Sequence, residues 1–303
     1  MQIINTADPT YKPKIVMLVY GEGGVGKTTF ASTAPKPLLI DCENGTKYLG
    51  LRGIKIDVAG VNSYTEFGEA VELAKKNGYE TIVIDPIGEL MSKLKRYTLA
   101  LPGSKYKQSD GNPTMAGWGF MKHTLRDKLK YIRDIGLHVL IVAHVETSKD
   151  EDRQIKQPLI ETKLADDLIN MVDIVGYMTV QTDPETKETK RVILVDPTSD
   201  KFRAKDRTGQ LGTIIEPNYT NIVEAIHGTK NYKWAKEQTP ADPKEKAKVE
   251  CACKVVKQLE DEFDGKEVKP EPKAEPKKET NKSKAEEALA KANAKPADNE
   301  DFI

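Results

Sequence analysis

Short apolar runs recur along the chain, and each is followed by a stretch of mixed apolar and polar positions. The clearest runs are residues 15–20, 38–41, 81–85 and 138–143. Continuous apolar runs of this length are typical of strands buried on both faces, and their alternation with amphipathic segments favours a parallel sheet covered by helices. Shorter candidate strands follow at 173–180, 191–195 and 212–215. Asp183 and Pro184 lie between two of them and predict a hairpin turn. The pattern therefore predicts an α/β fold with a mostly parallel sheet flanked by helices.

The composition divides the chain into four segments. Residues 1–13 form a polar lead-in, and residues 14–235 carry the alternating pattern. Residues 236–265 read as a linker with a short amphipathic helical pattern. Residues 266–303 are rich in Lys, Glu and Pro with mixed charge, a composition that predicts a disordered tail.

The overall composition limits the class of protein. The 47 Lys and Arg residues balance the 47 Asp and Glu residues, so the chain has no overall basic field that would indicate nucleic-acid binding. Three cysteines in 303 residues argue against a disulfide scaffold and favour a reducing compartment. No apolar run reaches the length of a membrane span, so we expect a cytoplasmic protein without a membrane partner.

The segment after the first apolar run matches the phosphate-binding pattern G-x-x-x-x-G-K-[ST]. It consists of Gly21, Glu22, Gly23, Gly24, Val25, Gly26, Lys27 and Thr28, with Thr29 opening the next helix. The glycines allow backbone N–H groups to surround a phosphate, and the following helix N-terminus favours the same anion. Lys27 is expected to reach the β- and γ-phosphates, and Thr28 is expected to hold Mg²⁺. The alternative is a glycine-rich turn beside a lysine, but the strand before it and the helix after it favour a nucleotide site for ATP and Mg²⁺.

Asp85 ends the apolar run 81–85 and is the expected second Mg²⁺-binding residue, acting through water opposite Thr28. Many buried strands end in Asp, so this interpretation depends on the phosphate-binding pattern upstream.

Three further segments resemble those of RecA-type ATPases. The run Ile40–Gly45 resembles the context in which RecA-type recombinases carry a general-base glutamate, and this implies that Glu43 polarises the attacking water. A capping or solvated acid is the alternative for Glu43.

His144 follows the run 138–143, where RecA-like and DnaB-like proteins place a γ-phosphate sensor that is often Gln. A histidine departs from that pattern, and a strand-end histidine bonded to local backbone is the alternative.

Lys205 and Arg207 lie in a stretch that resembles the K-x-R-x-G segment of DnaB-like and RadA-like ATPases. In those proteins the two cations enter the nucleotide site of a neighbouring subunit and stabilise the transferring phosphoryl group. The two residues alternate along an extended segment, so both are expected to point the same way. A solvated basic strand edge is the alternative.

Residues 12–230 together resemble RecA-fold NTPases, most closely the short phage-encoded RecA-like group that includes single-strand annealing ATPases. The resemblance implies ATP hydrolysis, a homo-oligomer with ATP at the subunit interfaces, and work on single-stranded DNA in recombination, annealing or repair. It would place a phage-encoded chain in the host cytoplasm. A small-molecule kinase is a further alternative, but it needs a cluster of lid arginines that the sequence does not show.

The resemblance also implies two DNA-binding loops, at residues 101–119 and 145–160. The first interleaves lysines with aromatic residues, which suits phosphate neutralisation and base stacking. The second carries acids among its basic residues, which weakens it as a DNA contact. The acidic-hydrophobic tip, Asp298–Ile303, resembles the partner-docking ends of single-strand binding proteins, and so favours the alternative function of a nucleotide-dependent loader that recruits a replication or recombination protein. A plain solubilising tail is the other interpretation of the tip.

Overall fold

A computed structural model describes residues 5, 8, 10–103, 105–150, 153–160, 164–182 and 187–228. The strands are β1 (Val16–Gly21), β2 (Pro37–Asp41), β3 (Asp57–Gly60), β4 (Thr81–Asp85), β5 (His138–Asp150), β6 (Arg153–Pro158), β7 (Ile174–Thr182), β8 (Thr189–Leu194), β9 (Lys205–Asp206) and β10 (Ile214–Ile215). The helices are α1 (Lys27–Ala31), α2 (Tyr64–Lys76), α3 (Ile87–Ala100), α4 (Met115–Asp134), α5 (Leu164–Met171) and α6 (Tyr219–Ile226).

One sheet runs through the described residues in the order β10-β8-β7-β1-β5-β4-β2-β3. The strands from β7 to β3 along this order are parallel, while β8 and β10 are antiparallel additions at one edge. Strand β1 lies between β5 and β7, so the segment after β1 emerges near the middle of the sheet. Ligands of open parallel sheets bind at the carboxyl ends of the strands, so the expected site lies at the carboxyl end of β1.

The sheet is covered on both faces. Phe30 of α1 and Tyr219 of α6 pack on one face, while Phe67 of α2, Leu90 of α3 and Leu125 of α4 pack on the other. Because both faces are covered, the central strands contain few polar residues, and the six residues of β1 are all buried. The expectation of a mostly parallel sheet flanked by helices is confirmed.

The predicted runs 15–20, 38–41 and 81–85 agree with β1, β2 and β4 to within one residue. Strands β7 and β8 form an antiparallel pair in which Thr182 lies opposite Thr189, while the turn expected at Asp183 and Pro184 lies outside the described residues. Strand β3 was not predicted, because its four residues are mostly exposed and contain one large apolar side chain.

The expectation of a loop at residues 145–160 is wrong. Strand β5 continues to Asp150 and pairs with β6 in an antiparallel ribbon, with Val145 opposite Pro158 and Ser148 opposite Ile155. The expected loop at 101–119 is shorter than predicted, because α4 begins at Met115 after an N-cap in which Thr114 accepts from the Gly117 N–H at 3.1 Å.

The boundary after residue 235, the helical pattern in the linker, the predicted disordered tail and the tip at Asp298–Ile303 all lie outside the described residues. Within the described part of the chain, no helix combines the length and apolarity needed to cross a membrane.

Candidate nucleotide-binding site

The phosphate-binding loop lies between β1 and α1. Gly24 and Gly26 have φ angles of 77° and 106°, which are in the left-handed region that other residues rarely adopt. Gly21 lies against the backbone carbonyl of Met178 in β7, so a side chain at this position would collide with the neighbouring strand. Two of the glycines are therefore required by backbone conformation, and a third by the close approach of β7.

Lys27 crosses the mouth of this loop. Its Nζ donates to the carbonyl oxygens of Gly21 and Glu22, at 2.8 Å in each case, and the residue is 7% exposed. Burial lowers the pKa of Lys27, and the charges of Asp85 and Glu43 oppose that shift. The ammonium group is thus held at the loop, in a position from which it can bind an anionic phosphate.

Thr28 and Asp85 meet at the carboxyl ends of β1 and β4. The Thr28 hydroxyl donates to Asp85 Oδ2 at 2.8 Å. Asp85 is 8% exposed, and burial raises the pKa of its carboxyl group, while the hydrogen bond from Thr28 and the charge of Lys27 act to lower it. The two side chains that the sequence predicts to hold Mg²⁺ are therefore in direct contact.

This oxygen pair fits the coordination chemistry of Mg²⁺. Magnesium in nucleotide sites is bound by one or two protein oxygens, and water and phosphate oxygens complete its octahedron. Across the described residues, no group of three or more His, Cys, Asp or Glu side chains could hold a metal by itself. Thr28 and Asp85 therefore suit an ion that arrives with a phosphate ligand rather than one held in a protein cage.

Thr29 provides a further polar atom at the start of α1. Its Oγ1 is buried and has no hydrogen-bond partner within the described structure. A buried hydroxyl without a partner is uncommon in folded proteins, and a ligand oxygen is one group that satisfies it.

Asp41 fixes the loop that carries Glu43. It accepts hydrogen bonds from the backbone N–H groups of Glu43, Gly45 and Thr46 at 3.1–3.2 Å, and from the Thr46 hydroxyl at 2.6 Å. Burial acts to raise the pKa of Asp41, but these hydrogen bonds outweigh it and leave the pKa below its usual value. The sequence does not single out Asp41 as a site residue, although the Asn-Gly-Thr run that begins three residues later is a recognisable turn pattern.

Glu43 faces His144. Its Oε2 lies 3.6 Å from His144 Nε2, and the two side chains are 42% and 44% exposed. His144 follows the apolar part of β5 and lies beside Gly21 in the strand register. The structure thus gathers Lys27, Thr28, Glu43, Asp85 and His144 at one edge of the sheet, and the two half-exposed side chains leave room for water.

Lys205 and Arg207 do not join this cluster. Lys205 Nζ donates to the carbonyl oxygens of Ile169, Asn170 and Val172 at 2.8–3.0 Å. Arg207 donates to the Asn170 carbonyl at 3.1 Å and lies 3.6 Å from Asp173. Both side chains therefore point the same way, and both contact the carboxyl end of α5. Among the contacts of the described residues, neither touches the phosphate-binding loop of its own chain.

The β5–β6 ribbon is connected to the phosphate-binding loop. Lys156 Nζ lies 3.2 Å from Glu22 Oε1, and the Tyr20 hydroxyl donates to the carbonyl oxygens of Lys156 at 3.1 Å and Arg203 at 2.7 Å. Lys156 belongs to the second segment that the sequence predicts to bind DNA. A displacement of the ribbon would therefore change the distance between Lys156 and Glu22.

Cationic and aromatic side chains gather where α3 leads into α4. Lys95 lies over the ring of Trp118 at 5.4 Å, Lys105 lies over Tyr106 at 5.4 Å, and the rings of Tyr106 and Phe120 are 5.1 Å apart. The segment 101–119 supplies Lys105, Tyr106 and Trp118 to this group, while Lys95 and Phe120 come from the flanking helices α3 and α4.

Comparisons with known proteins agree with this geometry. Residues 13–208, more than half of the chain, match a family described as an AAA domain. A relative from Bacillus subtilis strain 168, named SPbeta prophage-derived uncharacterized protein YorG, is 24% identical over 221 residues. That match covers 70% of this chain and 65% of the relative, slightly less than two thirds of its length.

Among solved structures, the KaiC-like protein PH0186 from the hyperthermophilic archaeon Pyrococcus horikoshii OT3 is 14% identical, with a TM-score of 0.35. The similarity covers 59% of this chain and 77% of that one. The family match and the phosphate-binding loop lead to the same conclusion: the chain belongs to the AAA domain family and carries a P-loop, which implies nucleotide binding.

Proposed function

We propose that the protein binds and hydrolyses ATP with Mg²⁺ and acts on single-stranded DNA in recombination, annealing or repair, in the cytoplasm of its host. The observation that carries the ATPase part is the meeting of Lys27, the Thr28–Asp85 oxygen pair and Glu43 at the carboxyl edge of the sheet. These are the cation, the metal-binding oxygens and the carboxylate that phosphoryl transfer to water requires.

Each residue has a separate role in this proposal. Lys27 exchanges its two carbonyl contacts for phosphate oxygens and neutralises their charge. Thr28 and Asp85 would hold Mg²⁺, which when bound neutralises phosphate charge. Glu43 accepts a proton from the attacking water, and its exposure leaves it accessible to that water. His144, whose Nε2 lies 3.6 Å from Glu43 Oε2, would donate a hydrogen bond to the γ-phosphate and so sense its presence.

The DNA part of the proposal is supported by the lysines and aromatic rings of α3, α4 and the segment that joins them. Aromatic faces stack on bases, and lysines neutralise phosphates, whatever the sequence of the strand. The contacts of Lys105 with Tyr106 and of Lys95 with Trp118 provide both groups side by side.

We expect single-stranded DNA to raise the ATPase rate, and we expect the double variant Lys105→Gln and Lys107→Gln to weaken DNA binding. The variant removes two cations from the exposed segment before α4, so the slope of log affinity against log salt should fall by about 1.4. Steady-state ATPase assays across a DNA titration, together with DNA binding at several salt concentrations, measure both effects.

A matched control is the double variant Lys75→Gln and Lys76→Gln, which removes the same charge from the exposed end of α2. It should leave the DNA affinity unchanged. An ATPase rate that stays flat across the DNA titration would contradict the DNA part of the proposal. That result would favour the loader alternative, in which the acidic-hydrophobic tip at Asp298–Ile303 recruits a protein partner.

A further inference from the structure

The β7–β8 hairpin lies beside the phosphate-binding loop. Strand β7 pairs with β1 as far as Tyr20 and Tyr177 and then continues beyond this contact. In the hairpin, Arg191 of β8 lies opposite Val180, and Ile193 lies opposite Met178. Met178 and Ile193 belong to the same core cluster as Phe30 of α1, so Arg191 shares the sheet face on which the phosphate-binding loop and α1 lie.

Arg191 makes two contacts with the loop. Its Nε–H donates to the Val25 carbonyl oxygen at 2.9 Å. A Cβ added to Gly26 would lie 3.1 Å from both Cδ and Nε of Arg191, so the side chain lies directly against the Gly26 backbone. Glycine at position 26 therefore serves two purposes. It allows the left-handed φ angle, and it leaves space for the Arg191 side chain.

The geometry of the peptide bond gives these contacts a consequence. In a trans peptide the carbonyl oxygen and the N–H of the next residue point in opposite directions. Holding the Val25 carbonyl on the hairpin side therefore turns the Gly26 N–H away from the hairpin. That N–H donates to no carbonyl within the described part of the chain, so it is available to a ligand.

We propose that Arg191 is a positioning residue that sets the orientation of the Val25–Gly26 peptide, so that the Gly26 N–H is fixed to bind a phosphate oxygen. The inference rests on the proposed ATP binding and adds to it a contact from outside the phosphate-binding motif. The hairpin thereby makes the loop rigid before the nucleotide arrives, which reduces the entropy that binding has to overcome.

Three substitutions separate the hydrogen bond from the charge. Glutamine places its Nε2 at the same number of bonds from Cα as the Nε of arginine, so Arg191→Gln keeps the donor and removes the charge. Arg191→Met keeps a similar unbranched chain and removes the donor. Arg191→Lys keeps the charge but has a methylene where Nε stood. Lys190→Met is the matched control, since Lys190 is the exposed neighbour in the same strand and lies on the opposite face.

The measurements are the Kd of Mg·ATP for each full-length variant, kcat and KM for hydrolysis, and Tm without nucleotide. We expect Arg191→Met and Arg191→Lys to raise Kd and KM by about tenfold or more, the size of one hydrogen bond to a charged group, with kcat little changed. Arg191→Gln should stay within about threefold of wild type, and Lys190→Met should be unchanged.

Three results would overturn the assignment. The first is a wild-type Kd for Arg191→Met. The second is a wild-type Kd for Arg191→Lys together with a raised Kd for Arg191→Gln. The third is an equal rise in Kd in all three variants with a parallel fall in Tm. The first shows no role for Arg191, the second shows a role of charge alone, and the third shows general loosening of the hairpin. If the wild-type protein does not bind Mg·ATP, the proposed function itself is refuted. If it does bind and one of the three results is found, only the role assigned to Arg191 is refuted.

Discussion

Replacing Arg207 by alanine is expected to lower the ATPase rate by about 10³–10⁵-fold, the range seen when an arginine finger is removed from comparable sites. The side chain lies at the carboxyl end of α5, is 57% exposed, and does not contact the phosphate-binding loop of its own chain among the described contacts. In the homo-oligomer that we propose, this exposed guanidinium would enter the nucleotide site of a neighbouring subunit. Steady-state hydrolysis at saturating ATP and DNA measures the loss.

Mixing subunits tests whether Arg207 acts across an interface. Arg207→Ala and Glu43→Gln should each hydrolyse ATP at no more than about 1% of the wild-type rate alone, but an equal mixture creates sites with an intact Glu43 and an intact neighbouring Arg207. Random assembly gives this combination at about one site in four, so the mixture should recover about a quarter of the wild-type rate. A mixture that is no more active than its components would show that Arg207 does not act in trans.

Lys205 is less suited to this test than Arg207. Its ammonium group donates to three backbone carbonyls at the end of α5, and burial with the nearby charge of Arg207 lowers its pKa. Removing it would leave these carbonyls without their donor and destabilise α5, so a lost rate would combine two causes.

Glu43→Gln is expected to lower kcat by about 10²–10⁴-fold, the usual contribution of a general base, while the Kd for Mg·ATP stays close to wild type. Glutamine keeps the shape of the side chain but does not accept the proton of the attacking water. The loop that carries it should hold its conformation, since Asp41 binds the backbone and not the Glu43 carboxylate. Single-turnover hydrolysis and equilibrium nucleotide binding measure the two quantities separately.

The control for Glu43 is Glu69→Gln, which removes an exposed carboxylate from α2. It should change neither quantity. A Glu43→Gln variant that hydrolyses ATP at the wild-type rate would contradict the base role and leave Glu43 as a partner of His144 alone.

The sequence predicts the central strands and the phosphate-binding loop because the physical causes there are local. An apolar run buried on both faces, a set of glycines required by backbone conformation, and a lysine at fixed spacing are all visible in one stretch of chain. The pairing of Thr28 with Asp85 also follows, since α1 begins beyond the carboxyl end of β1, and the carboxyl ends of all the parallel strands, β4 included, lie on the same side of the sheet.

Other features depend on contacts between distant segments, and the sequence does not show them. The second half of β5 and all of β6 carry mixed polar residues, a pattern that predicts a loop. They form strands because the two segments pair with each other. Arg191 is one basic residue in a polar strand, and its position follows only from the pairing of β8 with β7 and of β7 with β1. Nothing in the local sequence relates it to Val25, which lies 166 residues away.

The central claim is that a nucleoside triphosphate and Mg²⁺ bind where β1 meets α1. Calorimetric titration of Mg·ATP into the full chain tests it, with Lys27→Ala as the site variant and Lys75→Ala as the surface control. We predict one nucleotide per chain, an affinity about 100-fold weaker in Lys27→Ala, no change in the control, and weaker binding when EDTA removes the metal. Wild-type protein that does not bind Mg·ATP, or a Lys27→Ala variant that binds it equally well, would contradict the account.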